Sequence, residues 1–168
     1  TDPLSRTQRL QQDMCLEFDN LWIDSVKRHL RSDVPYGVFL SGGIDSASVV
    51  TAMARLEGPP MMTFTAGFRT SSVHDETNEA ARLANIVGAE HQTIEITASD
   101  FWQDLPAIAA TLDDPVADYA VVPTFLLARE AAKNVKVVLT GEGGDEIFGG
   151  YGRYRSGQRS WPFHRKPW

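Results

Sequence analysis

Four short strand-like runs alternate with stretches of helical spacing, and this alternation limits the chain to very few folds. The runs are Tyr36–Ser41, Met61–Ala66, His91–Ile96 and Val135–Thr140. The first is apolar on consecutive positions, as a strand buried on both faces must be. The third alternates. Between the runs, Ala47–Leu56 reads as a helix stopped by Gly58-Pro59-Pro60. His74–Val87 reads as a second, closed by Gly88 at a C-cap. A third is capped by Ser99 or Asp100 and runs toward Leu112, and Val121–Ala132 forms a fourth. Strands separated by helices of ten or more residues mean βαβ units with right-handed crossovers. The expected fold is α/β: an open, mostly parallel sheet with helices on both faces.

Ahead of this pattern, Leu10, Met14, Phe18, Leu21, Trp22, Val26 and Leu30 recur at spacings of three and four. That is one face of an amphipathic helix, and the face should pack on the core. Residues 1–33 are therefore expected to be a helical segment, 34–152 the core, and 153–168 a basic tail of loop or disordered chain. Nothing repeats internally, and no segment has low complexity.

The 168 residues are 42% hydrophobic and 23% charged, ordinary values for a soluble domain. The net charge is −6. It is uneven: five Lys/Arg and no acid follow Tyr151, leaving 11 basic against 22 acidic residues over 1–150. An acidic body is a poor surface for nucleic acid or anionic membrane, so neither is expected as a partner. Cys15 is the only cysteine. It excludes an internal disulfide and a C-x-x-C zinc pair, and it suits a reducing cytoplasm. No apolar run reaches the roughly 18 residues of a membrane span, and no signal peptide is visible. The chain opens on Thr1 rather than Met, which suggests processing or an excised piece of a longer protein.

Chemistry should lie beyond the carboxyl ends of the strands, where strand order reverses. Two strands end in unusual loops: Ser41-Gly42-Gly43-Ile44-Asp45-Ser46 and Thr140-Gly141-Glu142-Gly143-Gly144-Asp145-Glu146. If the strands are neighbours, both loops line one crevice. The first has the makings of a phosphate cradle. Gly42 and Gly43 allow close backbone approach, and their N–H groups with those opening the next helix make an anion nest. Ser41 and Ser46 add hydroxyl donors. The loop lacks the lysine of a Walker A motif and is not G-x-G-x-x-G. A carboxylate beside phosphates is repulsive unless a cation lies between them. Magnesium takes one or two carboxylates together with phosphate oxygens and waters. Asp45 and Asp145 would thus hold Mg2+ on a pyrophosphate. The plainer alternative makes Asp45 and Asp145 helix caps. Glu142 sits between glycines, where packing gives little reason for an acid, though a solvated loop residue is the simpler account. Asp113, Asp114 and Asp118 around Pro115 fit a polar turn equally well. His74 is read as part of a helix start and is assigned no metal, and His29, His91 and His164 are read as surface or structural.

The two loops carry a resemblance. Residues 41–46 resemble the pyrophosphate loop of the ATP-pyrophosphatase superfamily, whose fold is Rossmann-like, of the adenine nucleotide alpha hydrolase kind. Gly141-Glu-Gly-Gly-Asp-Glu-Ile-Phe-Gly-Gly-Tyr151 resembles the signature of the glutamine-hydrolysing asparagine synthetase family, as do Asp113–Thr124 and Val34–Val38. The resemblance covers roughly 10–154. It implies that aspartate's side-chain carboxylate attacks the α-phosphate of ATP, giving β-aspartyl-AMP and pyrophosphate. Ammonia then gives asparagine and AMP. By position, Ser41, Gly42, Gly43 and Ser46 would hold pyrophosphate, and Asp45 and Asp145 Mg2+. Leu40 and Ala66 would flank adenine, with Thr140 and Gly141 near the nucleotide. Glu142, the catalytic residue by this resemblance, would assist ammonia attack or orient the intermediate; a carboxylate can accept the proton that ammonium must lose.

There are departures. The family's glutaminase domain, with its N-terminal nucleophilic cysteine, is absent, so ammonia from glutamine would have to be made elsewhere in the parent. The family's synthetase domain continues past the Gly-Gly-Tyr motif and supplies further pocket residues, including a lysine. The chain therefore resembles the nucleotide-binding core of that domain, cut out or truncated, with ATP–Mg binding rather than complete turnover expected of it alone. A related adenylating cyclase, such as a β-lactam synthetase or peptide cyclase, and a non-catalytic ATP-binding module are the alternatives. A homodimer is possible, since a partial sheet domain exposes apolar surface.

Overall fold

A computed structural model of the chain describes residues 11–58, 60–68, 76–114, 118, 120–152 and 154. Four strands, β1 (Tyr36–Phe39), β2 (Met62–Phe68), β3 (Glu90–Ile96) and β4 (Val137–Leu139), form one sheet. Its order is β3-β2-β1-β4, and every pairing is parallel. Six helices accompany it: α1 (Gln11–His29), α2 (Ile44–Leu56), α3 (Thr77–Val87), α4 (Ala98–Thr111), α5 (Val121–Ala131) and α6 (Gly144–Phe148).

Alternation along the strands sorts the helices into two layers. On one face Val38 and Leu40 meet Val26 of α1 and Leu30 just after it, Val49, Val50 and Met53 of α2, and Ala80 and Ala84 of α3. On the other, Phe64 meets Leu127 and Ala131 of α5, while Ile96 meets Ile108 of α4 and Val122 and Leu126 of α5. Phe64, Val38 and Val50 are wholly buried. Burying an aliphatic or aromatic side chain of this size contributes roughly 1.5–3 kcal/mol, so these layers hold the sheet between the helices. The expected α/β fold is the fold observed.

Element boundaries differ from the sequence reading at several points. Helix α2 opens at Ile44, not Ala47, because the Ala47 N–H already donates to the Gly43 carbonyl at 3.1 Å. Asp45 and Ser46 therefore belong to its first turn. Helix α4 is capped by Thr97, not Ser99 or Asp100. The Thr97 hydroxyl accepts the Asp100 N–H, and the Asp100 carboxylate accepts the Thr97 N–H, a reciprocal box that satisfies two orphan donors. Strand β2 runs on to Phe68, where Ala66, Gly67 and Phe68 pair with Ile94, Glu95 and Ile96. Strand β4 begins at Val137; Val135 is buried ahead of it, and the Lys136 N–H bonds Pro35 O at 2.9 Å. In α1 only the second half packs as expected. Trp22, Ile23, Val26 and Leu30 join the core, whereas Met14, Phe18 and Leu21 are 55%, 48% and 63% exposed. Leu10, His74, Asp75, Arg153 and the tail 155–168 lie outside the described residues.

Candidate functional site

The strand order places the site. The chain winds outward from β1 to β2 and β3, then returns to put β4 on the other side of β1. The order reverses between β1 and β4, and both strands point the same way, so their C-terminal loops open side by side. The neighbour condition on the two loops is met.

Close approach of those loops depends on glycine. A Cβ on Gly141 would lie 2.6 Å from Ser46 N and 2.9 Å from the Asp45 carbonyl carbon, closer than real side chains come. A Cβ on Gly144 would lie 2.6 Å from both Asp45 carboxylate oxygens. The Asp45 carboxylate thus rests on the bare face of the second loop. Gly143 turns that loop into α6 with φ at +95, a backbone region that favours glycine. A Cβ on Gly150 would collide with Asp145 Oδ1, so Asp145 in turn is seated against glycine.

Between the loops lies a crevice of roughly 640 Å³, a size typical of small-molecule sites. Its walls include Leu40, Ser41, Gly43, Asp45, Ser46, Ala66, Thr140, Gly141, Glu142 and Asp145. Every candidate read from the sequence is there except Gly42, which turns toward the start of α3. Its N–H donates to Glu76 Oε2 at 3.0 Å, and a Cβ on it would stand 3.1 Å from Glu79 Cβ. The loop is knitted internally. The Ser41 N–H donates to Ser46 Oγ at 3.0 Å, the Gly43 N–H to Ser41 Oγ at 3.1 Å, and the two hydroxyls sit 2.8 Å apart. At the floor, the Thr65 hydroxyl donates to the Leu40 carbonyl.

Five carboxylates line the crevice: Asp45, Glu76, Glu142, Asp145 and Glu146. No Lys, Arg or His joins them among the described residues. Neither aspartate is a cap: α2 and α6 are entered through Gly43 and Gly143 without a side-chain cap bond. Among the described residues, the side chains of Asp45, Glu142 and Asp145 have no hydrogen-bond or ion-pair partner. Unpaired acids crowded together repel and favour a cation. The donors are all oxygen, which suits a hard ion such as magnesium. Among the described residues no three His, Cys, Asp or Glu converge closely enough to hold a metal by themselves. A cation here would need ligand or water oxygens as well, as magnesium on a phosphate does.

The sequence profile of the asparagine synthase family matches residues 17–168. The chain belongs to the asparagine synthase family. A Mycobacterium tuberculosis relative, provisionally named a glutamine-hydrolysing asparagine synthetase, is 48% identical over 144 residues, covering 86% of this chain and 22% of its own. Asparagine synthetase [glutamine-hydrolyzing] 1 of Bacillus subtilis is 44% identical over 144 residues, again 86% of this chain and 22% of that one. The chain thus spans about a fifth of the length of these curated relatives. Among solved structures, the NH3-dependent NAD synthetase of Campylobacter jejuni superposes with a TM-score of 0.53 at 21% identity, covering 82% of this chain and 60% of that one. That likeness bears on the fold alone.

Some lining residues of this family member were not singled out from the sequence. Glu146 and Tyr151 fall within the Gly141–Tyr151 motif, and the Tyr151 hydroxyl donates to Glu146 Oε1 at 2.7 Å. Their pairing could have been suspected from the motif itself. Glu76 carried no signal, since it reads as a helix start 34 positions from the glycine it touches. Asp113, Asp114 and Asp118 rim a separate groove between α4 and α5. Asp118 accepts the Ala120 N–H at 2.8 Å, as a turn residue does. His29 bonds the Ser25 carbonyl, and His91 bonds Thr63, both structural arrangements. Cys15 is exposed on α1, and His164 lies outside the described residues.

Proposed function

We propose that this chain is the ATP-binding part of an asparagine synthetase that adenylates the side-chain carboxylate of aspartate and passes it to ammonia. The observation that carries the proposal is the meeting of the two loops. Gly141 and Gly144 let the second loop close onto Asp45, so the unpaired carboxylates Asp45, Glu142 and Asp145 and the knitted Ser-Gly-Gly loop face one crevice.

In this reading Ser41, Gly42, Gly43 and Ser46 hold the pyrophosphate part of ATP with N–H and hydroxyl donors. Asp45 and Asp145 would hold magnesium, which when bound supplies positive charge against the phosphates and these acids. Leu40 and Ala66 flank adenine at the ends of β1 and β2, with Thr140 and Gly141 beside the nucleotide. The aspartate carboxylate oxygen attacks the α-phosphorus, and the bond to the bridging oxygen breaks as pyrophosphate leaves. Ammonia then attacks the acyl carbon, and AMP leaves with the shared oxygen. Glu142 takes the proton that ammonium must shed before it can attack. Holding the reactants in line lowers the barrier chiefly by removing translational freedom.

Calorimetric titration of ATP–magnesium tests the proposal, using this chain and its Asp45→Ala and Asp145→Ala variants. Binding that requires magnesium and weakens at least about tenfold in each variant is expected, tenfold being 1.4 kcal/mol. Binding indifferent to magnesium and to both aspartates would overturn the assignment. The chemical step is then checked as aspartate-dependent pyrophosphate release by a protein carrying the whole length of the relatives.

A further inference from the structure

We propose that Glu76 is a displaceable occupant of the pyrophosphate loop, competing with a phosphate oxygen for the Gly42 N–H. The inference rests on the nucleotide reading of the crevice and adds a residue that controls its affinity. Three consecutive N–H groups open the loop, and each already has an acceptor. Ser41 donates to the Ser46 hydroxyl and Gly43 to the Ser41 hydroxyl. Both acceptors are neutral, lie within the loop and can rotate. Gly42 alone donates to an anion from elsewhere, Glu76 Oε2 at 3.0 Å, 34 positions along the chain.

That contact demonstrates the N–H group's suitability for an anionic oxygen, since backbone nests accept carboxylate and phosphate alike. One N–H serves one such oxygen well, so a phosphate and Glu76 exclude each other there. Charge adds to the exclusion: Glu76 shares the crevice wall with four other acids and no base among the described residues. The loop has little room to move toward α3: a Cβ on Gly42 would stand 3.1 Å from Glu79 Cβ and 3.2 Å from Glu76 Cβ. The movable part is the half-exposed Glu76 side chain, which can swing to water from its place just ahead of α3. Arrival of the nucleotide thereby releases the Gly42–Glu76 hydrogen bond, which ties the loop to the start of α3. Glu76 is a positioning residue and takes no part in bond making.

The test is calorimetric titration of inorganic pyrophosphate with magnesium into the 168-residue chain, its Glu76→Ala variant and its Glu76→Gln variant, each checked for folding by thermal melting. Glu76→Ala should bind about tenfold more tightly than the wild type, because a charge-assisted hydrogen bond no longer has to be broken. Glu76→Gln keeps an acceptor without the charge and should gain less, in the same direction. Equal or weaker binding by both variants would overturn the competition and make Glu76 a structural clamp, leaving the loop's anion reading intact. Absence of binding by wild type and variants alike would overturn that reading and this proposal with it. Amide exchange supplies a readout free of added ligand: Gly42 N–H protection should drop in Glu76→Ala. Unchanged protection would count against the competing bond.

Discussion

Single residues in this protein matter mostly where they are missing a side chain. Gly141 and Gly144 allow the second loop to lie on Asp45 and Ser46, and the two sites should respond differently to alanine. At Gly141 the new methyl meets backbone atoms at 2.6 and 2.9 Å, which must move with the whole turn. Gly141→Ala is expected to cost about 1–3 kcal/mol of stability, as overpacking does, read from urea unfolding. At Gly144 the methyl meets the tip of a side chain, which can yield. Gly144→Ala should leave stability within about 0.5 kcal/mol but push the Asp45 carboxylate off its seat. ATP–magnesium affinity should then fall at least about tenfold. Equal affinity in wild type and variant would mean that Asp45's position is irrelevant to the ligand. The sequence announces these glycines as loop formers. It does not say which of them touches the first loop, because that depends on β1 and β4 being neighbours.

Elements carry a different kind of information. Helix α4 is set by the Thr97–Asp100 box, and Thr97→Ala should cost about 1 kcal/mol, measured by the unfolding midpoint. The Thr97 hydroxyl and N–H bonds hold the Asp100 carboxyl below its usual range. Their contribution is therefore complete above the ordinary carboxylate range and fades as pH falls through it. Strand β3 adds a dependence at milder pH. Burial lowers the pKa of His91, which bonds Thr63 on β2 at 2.9 Å. The unfolded chain then takes up the proton more readily than the folded one. Stability should be flat above about pH 6.5 and decline as pH drops below it, and His91→Gln should remove that decline. A decline that persists in the variant would assign it elsewhere. The Thr-x-x-Asp spacing was readable at 97–100, yet Ser99 and Asp100 offered rival caps, and only the reciprocal bonds decide among them. Existence and type of three strands were plain because their apolar runs are short and adjoin glycine or proline, and of β3 because it alternates. Their lateral order was not, since pairing is a property of the folded sheet.

At the scale of the whole molecule, one face of the described residues carries exposed apolar side chains. Phe18 stands edge-on to Phe148 at 5.6 Å and stacks on Trp22 at 6.2 Å, joining the outer half of α1 to α6. Ile44, 83% exposed, lies beside Phe18 and Trp22 along a shallow groove, and Ile147 is 77% exposed next to Phe148. Helical spacing put Met14, Phe18 and Leu21 on a face expected to pack on the core, and among the described residues they stay exposed instead. It could not say that, among the described residues, only Trp22 and the residues after it on this face join the core. An apolar patch of this kind is costly in water and draws another surface onto itself. No described helix is long and apolar enough to cross a membrane. The 168-residue chain should therefore associate with itself at concentrations of tens of micromolar, the order expected for a small, partly apolar contact. Sedimentation velocity would read this as a rising average mass. Phe18→Ser and Phe148→Ser, which touch each other but not the crevice, should each shift the chain toward monomer without weakening ATP–magnesium binding. A monomer at every concentration would mean that the aromatic cluster satisfies itself. Association unchanged by both substitutions would place the contact on another face, such as the exposed Trp102 of α4.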